Sequence, residues 1–454
     1  MLSVMDIETY EKNGKTVPYC VCIKINDIDY SFWGTNSILE FIQKISLIAY
    51  GDKIVIYTHN INFDGLIILE QIKTKKILYD ILIRESNIYW IKIWYAKVEI
   101  LVRCSYKIIP LSVDSMGLLI QNKKKIFPYK FVNENNLNYI GPIPDFSQFN
   151  SKEEHKTFCK NNSHFDLKKT AISYCFQDIH IVYEVLKNIL HIIKLHSFGK
   201  KIIESSFSFS SIAYKIFSSN YDEFAITQRK NNKFEHEYYK NAYYGGRCEV
   251  FGNQKKNELI HYFDFKGMYA QCMLEKFPTG SPKTSYTNLD FTKIGFHTIK
   301  FKCENDIPFL PVKNNKLLFP KGVIVGTYWY EEIINAIRWN KCEVLEHYSS
   351  YTFEEMNHTF KNYVQNFLKM RDKGKYYKIF GKNMNNGLYG SFALNENNSI
   401  YVVCFTQSEF SFYENTVDII NFSKIGEYYI INIGKNKRSE KLFDKKKKMK
   451  FGVC

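Results

Sequence analysis

The chain has 454 residues, of which 45% are hydrophobic and 24% are charged, so it is neither a disordered nor a fibrous protein. At roughly 150 residues per domain, it should hold about two to four domains. Lys and Arg total 62 against 46 Asp and Glu, a net charge of +16, and 17% of the residues are aromatic. Bases stack on Tyr and Phe, and phosphates attract cations, so this composition favours a nucleic-acid partner over a merely solvated basic surface.

Several other classes of protein are excluded at this stage. No uncharged apolar stretch reaches about 18 residues, so no membrane-spanning helix is predicted. The first residues, MLSVMDIETY, resemble neither a secretory signal nor a mitochondrial transit peptide. The 11 cysteines are scattered without C-x-x-C pairs, and H-E-x-x-H is absent, so neither a disulfide framework nor a zinc site is predicted. We therefore expect a reducing compartment.

Short apolar runs alternate with helical patterns over the first 190 or so residues, which predicts an α/β layer. The predicted strands are Leu2–Met5, Tyr19–Ile25, Lys53–Tyr57 and Ile91–Ile100, and the predicted helices are Gly65–Lys73 and Thr170–Leu195. An irregular surface loop is expected from Ile126 to Phe146, and a second α/β segment near Ser205. Residues 355–390 suit a basic helix pair, and Lys445–Lys448 reads as a solvated tail.

Acidic residues follow two of these predicted strands. Asp6 and Glu8 come directly after the apolar run LSVM, and residues two apart on a strand point to the same side. Asp64 follows the strand KIVIYTHN, and Tyr174 and Asp178 lie one helical turn apart. Adjacent carboxylates repel each other unless a cation lies between them. Four acids with a nearby tyrosine are typical of a two-metal hydrolytic centre that binds Mg²⁺ or Mn²⁺.

The segments MDIET, THNINFDG and Y-x-x-x-D resemble, in this order, the three exonuclease motifs of family-B DNA polymerases. The loop FPYKFVNENNLNYIGPIPDF is similar to the corresponding loop of the protein-primed branch encoded by linear mitochondrial plasmids. The resemblance implies a ribonuclease-H-like 3′–5′ exonuclease in which Tyr174 orients the attacking water. Val113 stands where that family usually has leucine. The residues that would hold the single-stranded 3′ end are Thr9, His59, Asn60, Phe63 and Ser112.

Two further segments resemble polymerase motifs. AYYGGR is similar to the Y-x-G-G link of protein-primed enzymes, which implies DNA contacts from one turn. The residues concerned are Tyr243, Gly245, Gly246 and Arg247. HYFDFKGMYAQCM resembles motif A, which implies that Asp264, on a strand, binds both polymerase metals and that Tyr269 packs under the nucleotide sugar. Gly267 and Ala270 replace the usual serine and proline.

The segment KMRDKGKYYKIFGKNMNNGLYGSF predicts a nucleotide-binding helix. Arg371, Lys378 and Lys382 recur at spacings that place three cations on one helix face, which suits a triphosphate, although a solvated basic helix is the alternative. KNMNNGLYG resembles motif B, with Gly387 where serine is usual. By that resemblance the dNTP-binding residues are Tyr269, Arg371, Lys378, Lys382, Asn386 and Tyr389.

The third palm motif of the family, Y-x-D-T-D-S, is not found in residues 391–454. Asp418 and Asp444 have no D-x-D partner, and GEYYIINIG offers Ile430 and Asn432 where acids would be required. We read this run as a strand of an insertion. We therefore expect the chain to stop before motif C, and its polymerase activity to be weak or absent. No fused terminal protein is expected, since the exonuclease motif begins at residue 6.

The sequence therefore predicts a DNA-directed DNA polymerase of the protein-primed family B, C-terminally incomplete, with an α/β exonuclease domain and an α+β partial palm and fingers. A stand-alone 3′–5′ exonuclease and a non-catalytic DNA-binding relic remain alternatives. The expected partners are primer-template DNA, a single-stranded 3′ end, dNTPs and a terminal protein, and the expected location is the mitochondrion. The predicted domains are 1–195 (exonuclease), 196–300 (linker and motif A), 301–355 (insertion), 356–395 (fingers) and 396–454 (second insertion).

Overall fold

The structure is a computed structural model that describes residues 2–197, 200–221, 233–252, 259–287, 290–314, 316–392 and 400–433. The chain divides into two compact units, one formed by Met1–Ile216 and Met370–Cys454 and the other by Phe217–Lys369. The predicted tail Lys445–Lys448 lies outside the described residues. Within those residues, no helix has the length and apolar character that crossing a membrane requires.

A seven-stranded sheet forms the core of the first unit. Its strands are β1 (Ser3–Lys12), β2 (Lys15–Ile25), β3 (Ile28–Trp33), β4 (Lys53–Thr58), β5 (Leu78–Arg84), β6 (Asn87–Tyr95) and β7 (Val98–Cys104). They are ordered β3-β2-β1-β4-β7-β6-β5, and β4 pairs in parallel with both β1 and β7, while the other pairs are antiparallel. The predicted α/β layer is confirmed.

One predicted strand is wrong. The run Ile91–Ile100 is not a single strand but the inner part of the antiparallel hairpin β6–β7. The chain reverses at Ala96 and Lys97, whose φ angles are 47° and 66°. Both arms of the hairpin are apolar, and neither turn residue is the Gly or Asn that usually marks such a reversal, so the sequence reads as continuous.

Six helices of the first unit follow or flank this sheet: α1 (Ser37–Ile48), α2 (Ile61–Thr74), α3 (Val113–Leu119), α4 (Lys152–Asn161), α5 (Leu167–His196) and α6 (Phe209–Asn220), the last of which runs into the second unit. The long helix α5 packs against β1 and β2. The stretch predicted as a loop contains one 3₁₀ turn, Tyr129–Phe131, and the short strand β8 (Ile140–Gly141), which pairs with β9 (Phe165–Asp166).

The second unit is built around a four-stranded antiparallel sheet with its own apolar core, which includes Ile299, Phe301 and Tyr328. The strands of this unit are β10 (Phe277–Thr279), β11 (Lys283–Ser285), β12 (Gly295–Cys303), β13 (Val312–Asn314), β14 (Lys316–Leu318), β15 (Gly322–Trp329), β16 (Glu343–Thr352) and β17 (Glu355–Asn357). The four-stranded sheet is ordered β11-β16-β12-β15, while β10 pairs with β17 and β13 pairs with β14. The helices are α7 (Lys233–Asn241), α8 (Met268–Cys272), α9 (Tyr330–Asn340) and α10 (Lys361–Met370).

The chain then returns to the first unit. Helix α11 (Lys375–Phe392) is followed by β18 (Ile400–Cys404), α12 (Gln407–Thr416), β19 (Ile419–Ile425) and β20 (Tyr428–Ile433), and the strands form a sheet ordered β18-β20-β19. The predicted helix pair is confirmed by α10 and α11, and the predicted strand GEYYIINIG by β20. Ile430 is fully buried, so this position serves packing.

Helix α11 packs closely on helices α5 and α6. The ring of Phe380 lies 5.7 Å from the rings of both His196 and Phe209. A β-carbon on Gly387 would lie 3.3 Å from the Cα of Ser210 and 3.4 Å from the Cβ of Ala213. The absence of a side chain at Gly387 thus allows α6 to approach, which accounts for glycine where the resembling motif usually has serine.

A pair of glycines on α11 tests this contact. Gly390→Ala adds a methyl group 3.8 Å from the nearest atom, Ser210 Oγ, so it should stabilise the chain by roughly 0.5–1 kcal/mol through helix propensity. Gly387→Ala presses on the α6 backbone, and overpacking of this kind costs about 1–3 kcal/mol, so this variant should be the less stable of the two. Urea unfolding measures both, and equal stabilities would contradict the close approach.

Candidate active site

The four predicted carboxylates converge in the first unit. Asp6, Glu8, Asp64 and Asp178 all line one open cavity of about 310 Å³, together with Tyr174. Glu8, Asp64 and Asp178 are less than a tenth exposed. The sheet and two helices therefore bring together acids that lie up to 172 residues apart in the sequence, counting from Asp6 to Asp178.

The sheet supplies two of these acids. Asp6 and Glu8 follow the parallel pairing of β1 with β4, whose last pair joins Met5 to Thr58. Strand β1 then carries a bulge between Glu8 and Thr9. Bulges increase local twist and redirect side chains, which is common beside active sites. Asp6 and Glu8 alternate with buried residues of β1 and so point into the cavity together.

Asp64 and Asp178 come from helices. Asp64 lies in the first turn of α2, and its Oδ2 accepts a hydrogen bond of 2.7 Å from Thr58 Oγ1. The residue before α2, Asn60, has a left-handed backbone with φ of 63°, which Asn tolerates better than most residues. Asp178 lies midway along α5, one turn beyond Tyr174.

The carboxylates in the cavity have raised pKa values. Burial and the charges of Asp64 and Asp178 raise the pKa of Asp6 well above its ordinary range, and burial together with Asp6 does the same to the pKa of Glu8. Burial raises the pKa of Asp64 to about 7, against the opposing effect of the Thr58 hydrogen bond. Such shifts arise where like charges share a low-dielectric site, and a bound cation relieves them.

The donor set fits divalent metal ions. Asp178 Oδ1 is buried and has no hydrogen-bond partner in the described part of the chain, so one oxygen faces the cavity uncompensated. The Cys175 thiol lies 3.9 Å from Asp6 Oδ2, and the ligand atoms of Asp6, Glu8 and Cys175 all lie within 4.8 Å of one another. Carboxylate oxygens dominate this set, and hard ions such as Mg²⁺ prefer them.

Lys124 is a site residue that the sequence did not identify. Its Nζ lies 2.9 Å from Asp178 Oδ2 and 5.2 Å from the centre of the Tyr174 ring. Burial opposes the charge, but Asp178 and Asp6 raise the pKa of Lys124 above its ordinary value, so the side chain stays protonated. The only available signal was the run Lys123–Lys125 next to the predicted loop, which by itself indicates no more than an exposed basic surface.

A second tyrosine joins Tyr174. The Tyr129 hydroxyl donates a hydrogen bond to the Tyr174 hydroxyl, and burial raises the pKa of both phenols. Tyr174 is therefore protonated, and its own proton remains for an acceptor in the cavity. Tyr129 lies inside the segment that the sequence marked only as a loop, because a 3₁₀ turn leaves no periodic pattern.

Three of the residues predicted to hold the 3′ end, His59, Asn60 and Phe63, line the same cavity but differ in how free their side chains are to contact DNA. Asn60 is exposed at its wall, and Phe63 is 41% exposed. His59 uses both ring nitrogens, 3.0 Å from Ser105 Oγ and 2.9 Å from the Leu111 carbonyl oxygen, and burial lowers its pKa to about 4. His59 is thus neutral and anchors a loop.

The other two residues of this set, Thr9 and Ser112, lie outside the carboxylate cluster. Thr9 is half-buried and directly follows the bulge in β1. Ser112 is exposed and is the N-cap of α3, where its Oγ accepts a hydrogen bond of 3.1 Å from Ser115 N. Their contact with a DNA end stays a prediction.

The predicted turn around AYYGGR is wrong, since Tyr243, Gly245, Gly246 and Arg247 lie in an irregular stretch of the second unit without a turn. The two glycines lie in open space. The Arg247 guanidinium donates to Glu249 and to the Pro308 carbonyl oxygen, at 2.6 Å, and lies 4.2 Å from the Phe319 ring centre. Its side chain is therefore held within the second unit.

The predicted strand at Asp264 is wrong. Residues 259–265 are irregular, and Tyr262, Phe263 and Phe265 are more than 80% exposed. No partner strand pairs with this stretch among the described residues, and an isolated extended segment is not a stable strand. Gly267 precedes α8 with φ of 69°, a left-handed backbone that explains glycine in place of the usual serine. Tyr269 lies on α8 and is 43% exposed.

The three predicted cations do not share one helix face. Arg371 lies in a separate 3₁₀ turn, Arg371–Lys373, and the chain breaks at Gly374 before α11 begins. Lys378, Lys382 and Asn386 are exposed at four-residue spacings on α11, so these three do form one polar stripe. Tyr389 is half-buried on the same helix. Nucleotide binding by this stripe stays a prediction.

The raised pKa of Asp64 predicts a pH dependence of metal-free stability. Between about pH 4 and pH 7, the folded chain retains a proton that the unfolded chain has released, so this group's contribution is complete at low pH and is lost as the pH rises. Asp64→Asn keeps the hydrogen-bond acceptor for Thr58 but cannot titrate. The fall in unfolding free energy from pH 4 to pH 8, measured by urea unfolding in EDTA, should therefore be smaller in this variant.

The exposed Asp52 provides the control, because Asp52→Asn makes the same carboxylate-to-amide change away from the cavity. If Asp64→Asn retains the wild-type pH slope, Asp64 does not titrate in the folded chain as its burial implies.

Comparison with known proteins identifies the family of the chain. Residues 47–449 match the family of DNA polymerases type B, organellar and viral. A probable DNA polymerase of Ascobolus immersus is 28% identical over 435 residues, covering 87% of this chain and 35% of that protein. One of Neurospora intermedia is 29% identical over 430 residues, covering 82% of this chain and 42% of that protein. The chain thus spans about two-fifths or less of the length of these relatives.

The fold is similar to that of Phi29 DNA polymerase. The structure of that enzyme complexed with primer-template DNA has a TM-score of 0.67 at 16% identity, covering 96% of this chain and 72% of that one. Its structure complexed with single-stranded DNA gives the same TM-score and coverage. The family match covers most of the sequence, and the chain therefore belongs to the organellar and viral type B DNA polymerases.

Proposed function

We propose that this chain acts on DNA as a polymerase of the protein-primed kind with a metal-dependent 3′–5′ exonuclease, and that the exonuclease site lies among Asp6, Glu8, Asp64 and Asp178. The convergence of these four acids in one cavity carries the proposal. The matching order of exonuclease-like segments and the family membership support it.

The four carboxylates would hold the divalent ions. Once bound, such ions supply an activated water and stabilise charge on the leaving oxygen. Burial raises the pKa of Asp178, and Lys124 opposes that rise and fixes the orientation of the carboxylate through their 2.9 Å contact. Tyr174, held by Tyr129, offers a hydroxyl proton that can orient a water in the cavity. Asn60 and Phe63 at the cavity wall can contact a single-stranded end, because an exposed ring offers a stacking surface for a base.

Degradation of a 5′-labelled single strand by the full chain, with Mg²⁺ or Mn²⁺, tests the exonuclease. Asp6→Ala combined with Glu8→Ala removes two metal ligands and should reduce the rate by orders of magnitude with little change in DNA affinity. Lys124→Met should reduce it by about 10- to 100-fold, since it removes a partner of one ligand. Lys53→Met removes a comparable ion pair, 2.8 Å from Glu99, away from the cavity and is the matched control.

The exonuclease assignment is wrong if the double variant digests the strand at the wild-type rate. A loss with Lys53→Met as large as that with Lys124→Met would indicate that Lys124 acts on stability alone.

One observation favours a second candidate, an exonuclease without polymerase activity. The exonuclease carboxylates are assembled, whereas Asp264 lies exposed on an irregular stretch, and no group of three or more potential metal ligands surrounds it among the described residues. Two-metal nucleotidyl transfer requires more than one anchoring carboxylate.

Primer extension separates the two candidates. If the chain is an exonuclease without polymerase activity, residues 1–454 carrying Asp6→Ala and Glu8→Ala, which prevents digestion of the primer, should incorporate dNTPs slowly or not at all. Asp264→Ala should abolish any extension that remains. Rapid extension that depends on Asp264 would support the complete polymerase and exclude the second candidate.

The remaining proposals concern partners and location. Primer-template DNA, dNTPs and a terminal protein as primer are the partners we propose, by resemblance to protein-primed enzymes. The exposed stripe Lys378, Lys382 and Asn386 is the proposed triphosphate contact. We also propose a mitochondrial location, on the basis of the similarity to plasmid-encoded sequences.

A further inference from the structure

Residues 400–433, here called the 400–433 module, are part of the core that surrounds the candidate active site. Phe405, Tyr428 and Ile430 belong to the same buried cluster as the strands of the seven-stranded sheet and helix α2. Polar contacts add to this packing, since the Glu85 backbone N–H donates to the Tyr401 hydroxyl over 3.0 Å. The module follows the motif-B-like segment in sequence but packs with the exonuclease-like part of the chain.

Helix α2 is covered on more than one side. The consecutive residues Leu66, Ile67, Ile68 and Leu69 are all fully buried. Because successive helical residues project about 100° apart, four in a row cannot all face the sheet. The 400–433 module supplies part of the additional cover.

Two polar contacts hold the C-terminal half of α2. The Tyr428 hydroxyl donates to Glu70 Oε2 over 2.7 Å, and Lys73 Nζ forms an ion pair of 2.6 Å with Glu409 Oε1. Lys73 Nζ also lies 4.5 Å from the centre of the Phe405 ring. Glu409 is itself fixed, because its Oε2 accepts a 2.7 Å hydrogen bond from Phe405 N. Glu409 and Lys73 are 336 residues apart in the sequence.

The other end of the same helix carries Asp64. At 1.5 Å per residue, Glu70 and Lys73 lie about 9 Å and about 13 Å along the axis from Asp64. A helix of 14 residues moves as a rod, so a change of tilt at its C-terminal half displaces its first turn. The Asp64 backbone is therefore positioned in part by contacts that lie far from the cavity.

We propose that Glu409 and Tyr428 are positioning residues for Asp64, which hold α2 so that its first carboxylate meets those of Asp6, Glu8 and Asp178. This inference rests on the proposed exonuclease function. It makes the 400–433 module a determinant of metal affinity in the exonuclease site. The general physical reason is that metal ligands held in place from outside the site lose affinity when that support is removed.

Mn²⁺ binding to the full chain, followed by the electron paramagnetic resonance signal of free Mn²⁺, tests the proposal without relying on activity. Glu409→Gln combined with Tyr428→Phe removes both polar contacts and retains side-chain volume. This variant should bind Mn²⁺ about threefold to tenfold more weakly at the exonuclease site, the range expected for an ion pair and a hydrogen bond of this kind. Its rate of strand degradation at saturating Mn²⁺ should stay close to that of the wild type.

The control is Glu346→Gln combined with Tyr429→Phe. Glu346 forms a 2.7 Å ion pair with Lys300 in the second unit. The Tyr429 hydroxyl donates to Gln407 Oε1 over 2.6 Å within the 400–433 module, and its ring belongs to a buried cluster separate from the one that contains α2. This variant loses interactions of the same kinds and should retain wild-type Mn²⁺ affinity.

Lys73→Glu alone should weaken Mn²⁺ binding, and adding Glu409→Lys should restore it by re-forming the ion pair with the charges exchanged.

The Asp64→Ala chain separates failure of this inference from failure of the proposed function, because it reports the Mn²⁺ that binds elsewhere. If Asp64→Ala loses the site and the Glu409/Tyr428 variant binds Mn²⁺ as tightly as the wild type, the positioning role is refuted while the exonuclease site stands. Equal weakening in the Glu346/Tyr429 control would also refute it, by showing a general loss of stability. If Asp64→Ala changes neither binding nor digestion, the proposed function itself fails.

Discussion

Mutual repulsion among buried carboxylates is the constraint on which the organisation of the first unit depends. Asp6, Glu8, Asp64 and Asp178 share one cavity, and Lys124 is the cation that lies among them. Bringing such groups together is unfavourable, because burial and like charge both oppose ionisation. Only well-packed surroundings can maintain the arrangement, and here a central sheet, the buried helix α2 and the long helix α5 provide them. Part of the favourable free energy of packing thus offsets the cost of assembling a site that can bind cations.

The stretch around Asp264 contrasts with this site. Its aromatic neighbours Tyr262, Phe263 and Phe265 are exposed, and it forms no strand. By comparison, Asp6 lies on β1, an inner strand of a sheet, which pairs with β2 along its length and with β4 at Val4 and Met5. The two predicted metal-binding segments therefore differ in how fully their surroundings are assembled in the described residues. Because of this difference, the exonuclease is the better supported of the two proposed activities.

Much of the exonuclease-like site could be predicted from the sequence, because its acids follow apolar strands or lie at helical spacing. The predicted strand Leu2–Met5 continues to Lys12 in β1, so Asp6 and Glu8 lie within a strand and not at its end. The alternation of side chains along a strand and the helical turn from Tyr174 to Asp178 nevertheless give these acids the predicted directions. Lys124 and Tyr129 could not be found in this way, since they lie in an irregular segment whose position depends on packing against α5.

Predictions from the sequence were wrong where the local structure depends on contacts or breaks that the local pattern does not show. The resemblance to motif A implied a strand at Asp264, but a strand is stable only when another strand pairs with it. The spacing of Arg371 with Lys378 suggested one helix face, but the helix breaks at Gly374 between them. The packing of Ile430 into the same core as α2 could not be predicted, because the two segments lie far apart in the sequence.

We infer that the four carboxylates form a metal centre. Anomalous X-ray scattering from crystals of the full chain soaked in Mn²⁺ locates bound ions without assuming any activity. Mn²⁺ peaks are expected in the cavity, within coordination distance of Asp6, Glu8, Asp64 or Asp178, and none there in crystals of Asp64→Ala combined with Asp6→Ala. A cavity without anomalous density at saturating Mn²⁺, with Lys124 still paired to Asp178, would contradict it.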